Sequence, residues 1–350
     1  MLTLKDIAGH VGVSASTVSL VLNGRDVGRV KSEVAERIRA VADEMGYVPN
    51  LLARGLKTRQ THTIGLLSDR VASIPFAGPM LAGAQTAAWA EGFLLLLIDT
   101  AGNAELEGPA VKSLLQRNVE GLILAAEFHR DVTLPLVPES IPTTVLNGRP
   151  ASPSRHVDWV VPDEVGGAQV ATEHLIHAGH RRIAFCNVSS ELFVARWLRR
   201  QGYEQALIAA GVVPDPGLLV EADEPTAEAG RRAAELLLSH PDRPTAVFCF
   251  SDQIAFGFYQ VAQRLGLEIP RDLSVVGFDN RPFVAEALLP GLTTVQLPHR
   301  EMGVWAAQTT IARIRGHGAP SEHRLTPCPL VLRSSTAPAP RLTPAGRTSL

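Results

Sequence analysis

Along the first sixty residues the apolar positions recur at helical spacing. Leu4, Ile7, Ala8 and Val11 fall on one face. Thr3 stands where an N-cap belongs, and Asp6 follows three residues later, as in a capping box. Gly12 suits a tight turn that needs positive φ, and Ser14 caps a second helix running to about Leu22. Val13, Val18, Val21 and Leu22 form its inward side, which leaves Ala15, Ser16 and Ser19 facing out. A third amphipathic segment, Ser32 to Met45, turns Val34, Ile38, Val41, Ala42 and Met45 toward the other two, and Gly46 stops it. Three short helices close one small core.

From Thr63 the pattern changes to short β-rich runs alternating with helical ones. Strands are predicted over Thr63 to Leu67, Phe93 to Ile98, Gly121 to Ala125 and Thr143 to Leu146, with helices over Met80 to Gly92 and Ala110 to Asn118. A second series has helices over Gly166 to Ala178, Arg196 to Ala210, Ala227 to Ser239 and Gln253 to Leu265. Its strands run over Arg182 to Cys186, Ala246 to Cys249 and Ser274 to Phe278. This βαβ rhythm predicts an α/β fold with two open parallel sheets. Ligands in such folds sit beyond the carboxyl ends of the strands, so two such edges facing each other would form a cleft.

Charge sharpens the division. Residues 1–60 hold nine Lys/Arg against six Asp/Glu, a net +3, whereas the remainder carries −5. A locally positive head suits a polyanion even though the whole chain is −2. Cys186, Cys249 and Cys328 are scattered without a CxxC spacing, which suggests core residues in a reducing cytoplasm. The opening residues lack a signal-peptide core, and the aliphatic run Leu94 to Ile98 is far below the roughly 20 residues of a membrane span. No membrane partner is expected. Residues 335–350 are rich in Pro, Ala, Ser and Thr and are predicted to be disordered. GxxxxGK[ST], GxGxxG after a strand and GxSxG are all absent, so neither an enzymatic activity nor a cofactor is expected. His174, His177 and His180 form an HxxHxxH string, but His174 and His180 are rotated apart on a helix ending near Gly179. A polar helix end fits better than a metal site.

The run Leu4-Lys5-Asp6-Ile7-Ala8, Gly12-Val13-Ser14, Thr17-Val18-Ser19, Val21-Leu22-Asn23 and Gly46-Tyr47-Val48-Pro49-Asn50 resembles the LacI/GalR family of bacterial transcriptional regulators. The resemblance implies a helix-turn-helix DNA-binding domain over 1–48 and a hinge helix and linker over 49–61. An effector-binding and dimerisation domain of periplasmic-binding-protein architecture follows over 62–334. Its N-subdomain would comprise about 62–160 and 295–324, and its C-subdomain about 161–294 and 325–334, with crossings near Val160, Thr294 and Leu325. Thr3, Lys5, Ser14, Ala15, Ser16, Thr17, Ser19 and Asn23 would face double-stranded operator DNA. In the hinge, Asn50, Ala53, Arg54, Leu56 and Lys57 would join them, with Leu56 as a minor-groove wedge. Leu20 stands where many relatives have a guanine-reading arginine. A repressor acting as a homodimer on a near-palindromic operator is the implied function.

The same resemblance places Arg199 and Asp279 in the cleft as hydrogen-bonding partners of a small-molecule effector, a sugar or sugar derivative. Asn147, Asp163 and Phe76 would complete the set, although Asn and Asp are equally at home as turn residues and helix caps. Ser251 replaces the family's usual asparagine, and Glu224 stands where relatives often have a stacking aromatic, a ring that Trp159 or Trp197 would have to supply. The competing reading is a sugar-binding or sugar-processing protein sharing the cleft fold.

Overall fold

The computed structural model describes residues 2–47, 60–74, 77–152, 157–317 and 320–340. Asn50, Ala53, Arg54, Leu56, Lys57 and Phe76 lie outside the described residues. The chain divides into two compact units, Met1–Thr61 and His62–Leu350.

In the first unit, α1 (Leu4–Val11), α2 (Ala15–Leu22) and α3 (Ser32–Glu44) bury Ile7, Val18, Val21 and Ile38 in a common core. The Asp6 carboxylate accepts from the Thr3 N–H at 2.7 Å, the return half of a capping box, and from the Thr3 hydroxyl at the same distance. Gly12 ends α1 at φ +78°, a left-handed conformation that a side chain would oppose. Asp26, buried in the loop before α3, receives Arg39 at 2.6 Å and ties that loop to the helix.

The second unit has two lobes, each built on a six-stranded sheet. The first sheet contains β1 (Thr63–Ser68), β2 (Leu94–Asp99), β3 (Gly121–Val132), β4 (Thr143–Pro150) and β5 (Asp158–Pro162). With β11 (His323–Thr326) at its edge, the order is β11-β5-β4-β3-β1-β2, parallel throughout. Helices α4 (Gly78–Ala90) and α5 (Ala104–Gln116) lie in this lobe with α11 (His299–Ile314). Both faces of β1 are covered, so Ile64 and Leu66 pack with Ala84 and Ile311 while Leu67 packs with Leu114. Helices α4 and α11 cross where Gly83 and Gly303 meet, and a methyl on either would collide with the carbonyl of Arg300 or Met80. The sequence places the start of α5 at Ala110, yet it begins at Ala104 behind an Asn103 cap and carries Pro109 inside it.

The second sheet contains β6 (Ile183–Val188), β7 (Leu219–Ala222), β8 (Ala246–Cys249), β9 (Ser274–Asp279), β10 (Thr293–Gln296) and β12 (Leu330–Val331), in the order β12-β10-β9-β8-β6-β7. Only β12 runs antiparallel. Helices α6 (Glu164–His177), α7 (Ala195–Ala209), α8 (Ala227–Leu238) and α9 (Asp252–Arg264), with the short α10 (Pro282–Ala285), surround a core centred on Phe185, Phe248 and Phe278. All three cysteines are buried and free, and burial pushes the Cys186 thiol up.

The chain passes between lobes after β5, after β10 and after β11. The expected crossing points at Val160, Thr294 and Leu325 each fall within a strand. The boundaries therefore move one or two residues later, because each ladder is completed before the chain leaves its sheet. The expected disorder of 335–350 is corrected for residues 335–340. Ser335 is fully buried, donating to the Val275 carbonyl at 2.6 Å and accepting from the Thr293 N–H at 2.8 Å. His180 lies within hydrogen-bond distance of Thr245, Ser274 and the Ala337 carbonyl, and His174 bonds Thr336, so two histidines of the HxxHxxH string clasp this strap. Among the described residues no helix is long and apolar enough to cross a membrane.

Candidate functional site

In the head, Thr3, Lys5, Ser14, Ser16 and Asn23 are exposed, whereas Thr17 and Ser19 are half-buried. Ala15, expected to face outward, packs partly against the head core. Some polar groups are committed locally. Ser14 accepts from the Thr17 N–H at 3.1 Å, and Asn23 donates to the Ser19 carbonyl at 2.6 Å. Ser16 and Lys5 remain the outward groups of α2 and α1, suited to a base edge and a phosphate respectively.

Between the lobes of the second unit lies a partly open cavity of about 60 Å³. Its floor is Arg199 on α7. The Arg199 Nε donates to Glu164 Oε2 at 2.7 Å, one Nη donates to the Phe250 carbonyl, and the same Nη lies 3.8 Å from Asp279. The guanidinium also lies over two rings, 3.6 Å from the Phe278 centroid and 4.4 Å from that of Phe250. Burial alone would raise the Glu164 carboxyl, but Arg199 and the polar groups around it prevail and hold it at about 2.

Asp279 ends β9 at φ +104°, and Asn280 follows at φ +52°, a backbone that turns the carboxylate into the cleft. Arg281 Nε donates to it at 3.0 Å. Asp252, the first residue of α9, anchors this turn by accepting the Arg281 N–H and bonding the Thr294 hydroxyl, each at 2.6 Å. Burial, reinforced by the Asp279 charge, pushes the Asp252 carboxyl up to about 8.

Arg199, Asp279, Asn147 and Ser251 all line the cavity; Asp163 does not. Asp163 caps α6, accepting the Gly166 N–H at 2.9 Å, and the cavity-facing carboxylate is its neighbour Glu164. Ser251 caps α9 through the Ile254 N–H. Asn147, at φ +62°, donates to the carbonyls of Ala126 and Glu127 at 3.1 and 3.3 Å. It thereby supports a break in the β3–β4 register between Ala125 and Arg130, from which Phe128 and His129 reach the cavity. Neither Trp159 nor Trp197 lines the cavity. Trp159 stacks on His323, Trp197 lies under Arg196, and Glu224 is exposed. The rings come instead from Phe128 and Phe193, 4.8 Å apart across the lobes, and from Phe250. Phe128 was missed because the sequence reading ended the strand at Ala125; the signal was the polar-aromatic run Glu127-Phe128-His129 that follows. A wider chamber of about 580 Å³ shares Asp279, Arg281, Leu297 and His299 with the cavity as a common wall.

Residues 3–50 match the family model of bacterial regulatory proteins, lacI family, and residues 172–336 match that of a periplasmic binding protein-like domain. The ribose operon repressor of Haemophilus influenzae is 36% identical over 318 residues, covering 90% of this chain and 92% of that one. The chain belongs to the lacI family of bacterial regulatory proteins. The family's repressor CytR of Escherichia coli is 32% identical over 339 residues, covering 97% of each chain. Among solved lacI-family structures, the lac repressor dimer bound to operator and the anti-inducer ONPF superposes with a TM-score of 0.77 at 25% identity, covering 96% of this chain and 99% of that one. An Enterococcus faecium family member with bound ribose has a TM-score of 0.62 at 26% identity, covering 79% and 99%. The two-lobed cleft is thus the effector-domain architecture of the family, joined to its helix-turn-helix head.

Proposed function

We propose that the protein is a transcriptional repressor that grips a near-palindromic operator as a homodimer and is controlled by a neutral monosaccharide, ribose or a close relative, held in the cleft. The observation that carries this reading is the pairing of the cavity's charges. Arg199 is paired with Glu164, Arg281 with Asp279 and Glu127, more loosely, with Arg70 at 3.9 Å outside the lining, so the site offers hydrogen-bonding edges between phenylalanine rings. Such a lining favours a hydroxyl-rich ligand with an apolar face. The naming of similar chains as ribose operon repressors supports ribose as the first candidate. The operator-bound dimer of the lac repressor supports a two-headed grip. On the family resemblance, operator-contacting roles are proposed for Asn50, Ala53, Arg54, Leu56 and Lys57 and an effector-contacting role for Phe76. A role on chromosomal DNA is cytoplasmic, and it is one of binding rather than catalysis.

Two measurements test the reading. Selection from a randomised duplex pool should return a near-palindromic site. Titration of the full-length protein with D-ribose, ribose 5-phosphate and adenosine should favour the uncharged sugar. Preference for the phosphate would overturn the neutral-ligand assignment, and the absence of any selected duplex would overturn the repressor.

A further inference from the structure

His129 is 4% exposed, lines the cavity, and its Nδ1 makes no hydrogen bond. A buried polar atom left without a partner is costly, and natural structures rarely keep one without reason. Glu164 Oε1 lies 3.8 Å away, beyond direct hydrogen-bond reach. The other oxygen of Glu164 is engaged by Arg199. His129 comes from β3 of the first lobe and Glu164 from α6 of the second, so the gap spans the lobe boundary.

A hydroxyl oxygen placed about 2.8 Å from each atom fits a separation of this size. It would donate its proton to the Glu164 carboxylate and accept from His129 Nδ1–H, satisfying both lobes with one ligand group. Paired with the Arg199 guanidinium at 2.7 Å, Glu164 is a carboxylate and therefore an acceptor. We propose that His129 is a specificity-determining contact of the cleft, binding one hydroxyl of a sugar and sharing it with Glu164 so that the ligand ties the two lobes together. The inference rests on the cleft's being the effector site and adds the group that reads a particular hydroxyl.

The test is calorimetric titration of full-length protein with D-ribose and its monodeoxy analogues. H129L should weaken D-ribose by about tenfold or more. H129N, which keeps a polar atom near the position of Nδ1, should restore most of the affinity. H129Q, which moves the amide toward the position of Nε2, should behave like H129L and serves if H129L does not fold. One deoxy analogue should bind wild type as weakly as D-ribose binds H129L, and should lose nothing further in the variant. Equal affinity of wild type and H129L for D-ribose would overturn the assignment of His129 alone, as would an equal loss for every analogue. No binding of D-ribose by wild type would overturn the pentose reading and this assignment together.

Discussion

Glu164 and Arg199 are both almost wholly removed from water, and Arg199 cannot shed its proton. Replacing Glu164 therefore leaves a buried guanidinium facing only Asp279 and the Phe250 carbonyl. E164Q should lose about 3 kcal/mol in urea unfolding, the scale expected when one partner of a buried pair is removed. The pH dependence follows from the carboxyl's position below its ordinary value of 4.5. Its stabilising contribution is present above pH 4.5 and is lost as pH falls toward 2, so wild type should lose more stability than E164Q across that window. Asp252 behaves oppositely. Its carboxyl is raised from 3.8 to about 8, so the folded chain holds a proton that the unfolded chain releases. Stability from this group is full below pH 3.8 and declines as pH rises toward 8. An asparagine there still accepts the Arg281 N–H and meets the Thr294 hydroxyl. D252N should melt above wild type at about pH 8.5, with the gap closing toward acid pH. A lower melting temperature for D252N at alkaline pH would mean that the fold does not raise the Asp252 carboxyl.

At the scale of elements, the periodicity from Thr63 onward was enough to read the alternation of β1, α4, β2 and β3, because buried parallel strands are continuous apolar runs bounded by turns. The head was legible almost residue by residue, since Thr3, Gly12 and Ser14 act through local hydrogen bonds and backbone conformation. What escaped depends on tertiary contacts. The continuation of β3 past Ala125 exists because Asn147 bridges two carbonyls from the neighbouring strand, and no local pattern encodes that. The strap after Arg333 reads as low-complexity sequence, yet Ser335 completes the hydrogen bonding of β9 and β10, and the Val275 N–H donates to its carbonyl at 2.9 Å. Arg199 and Asp279 were legible only through family likeness, whereas Glu164 was hidden by its resemblance to an ordinary first-turn acid. The strap makes its own demand. S335A strips the buried Thr293 N–H and Val275 carbonyl of their side-chain partner and should cost about 2 kcal/mol in chemical denaturation. An unchanged midpoint would show that the strap is ornamental to the second lobe.

For the molecule as a whole, a DNA-binding unit and a ligand-binding unit in one chain make a regulator only if occupancy of one changes the affinity of the other. Thermodynamic linkage gives this a stringent form. If D-ribose changes operator affinity by some factor, operator must change D-ribose affinity by the same factor, whether the sugar releases the repressor or tightens it. Anisotropy of a labelled operator with and without sugar, set against calorimetry of the sugar with and without operator, gives the two factors independently. D279A removes a cavity carboxylate in the second unit, remote in sequence from Ser16 and Lys5. It should abolish the sugar's effect on operator binding while leaving operator affinity without sugar within about twofold of wild type. L56A, at the position that the family resemblance assigns to a hinge, should do the reverse, weakening operator binding and leaving ribose affinity without operator unchanged. If D279A instead lowered operator affinity with no sugar present, the cleft would be setting the grip through its resting structure. Occupancy would then not be the variable that the operator reads.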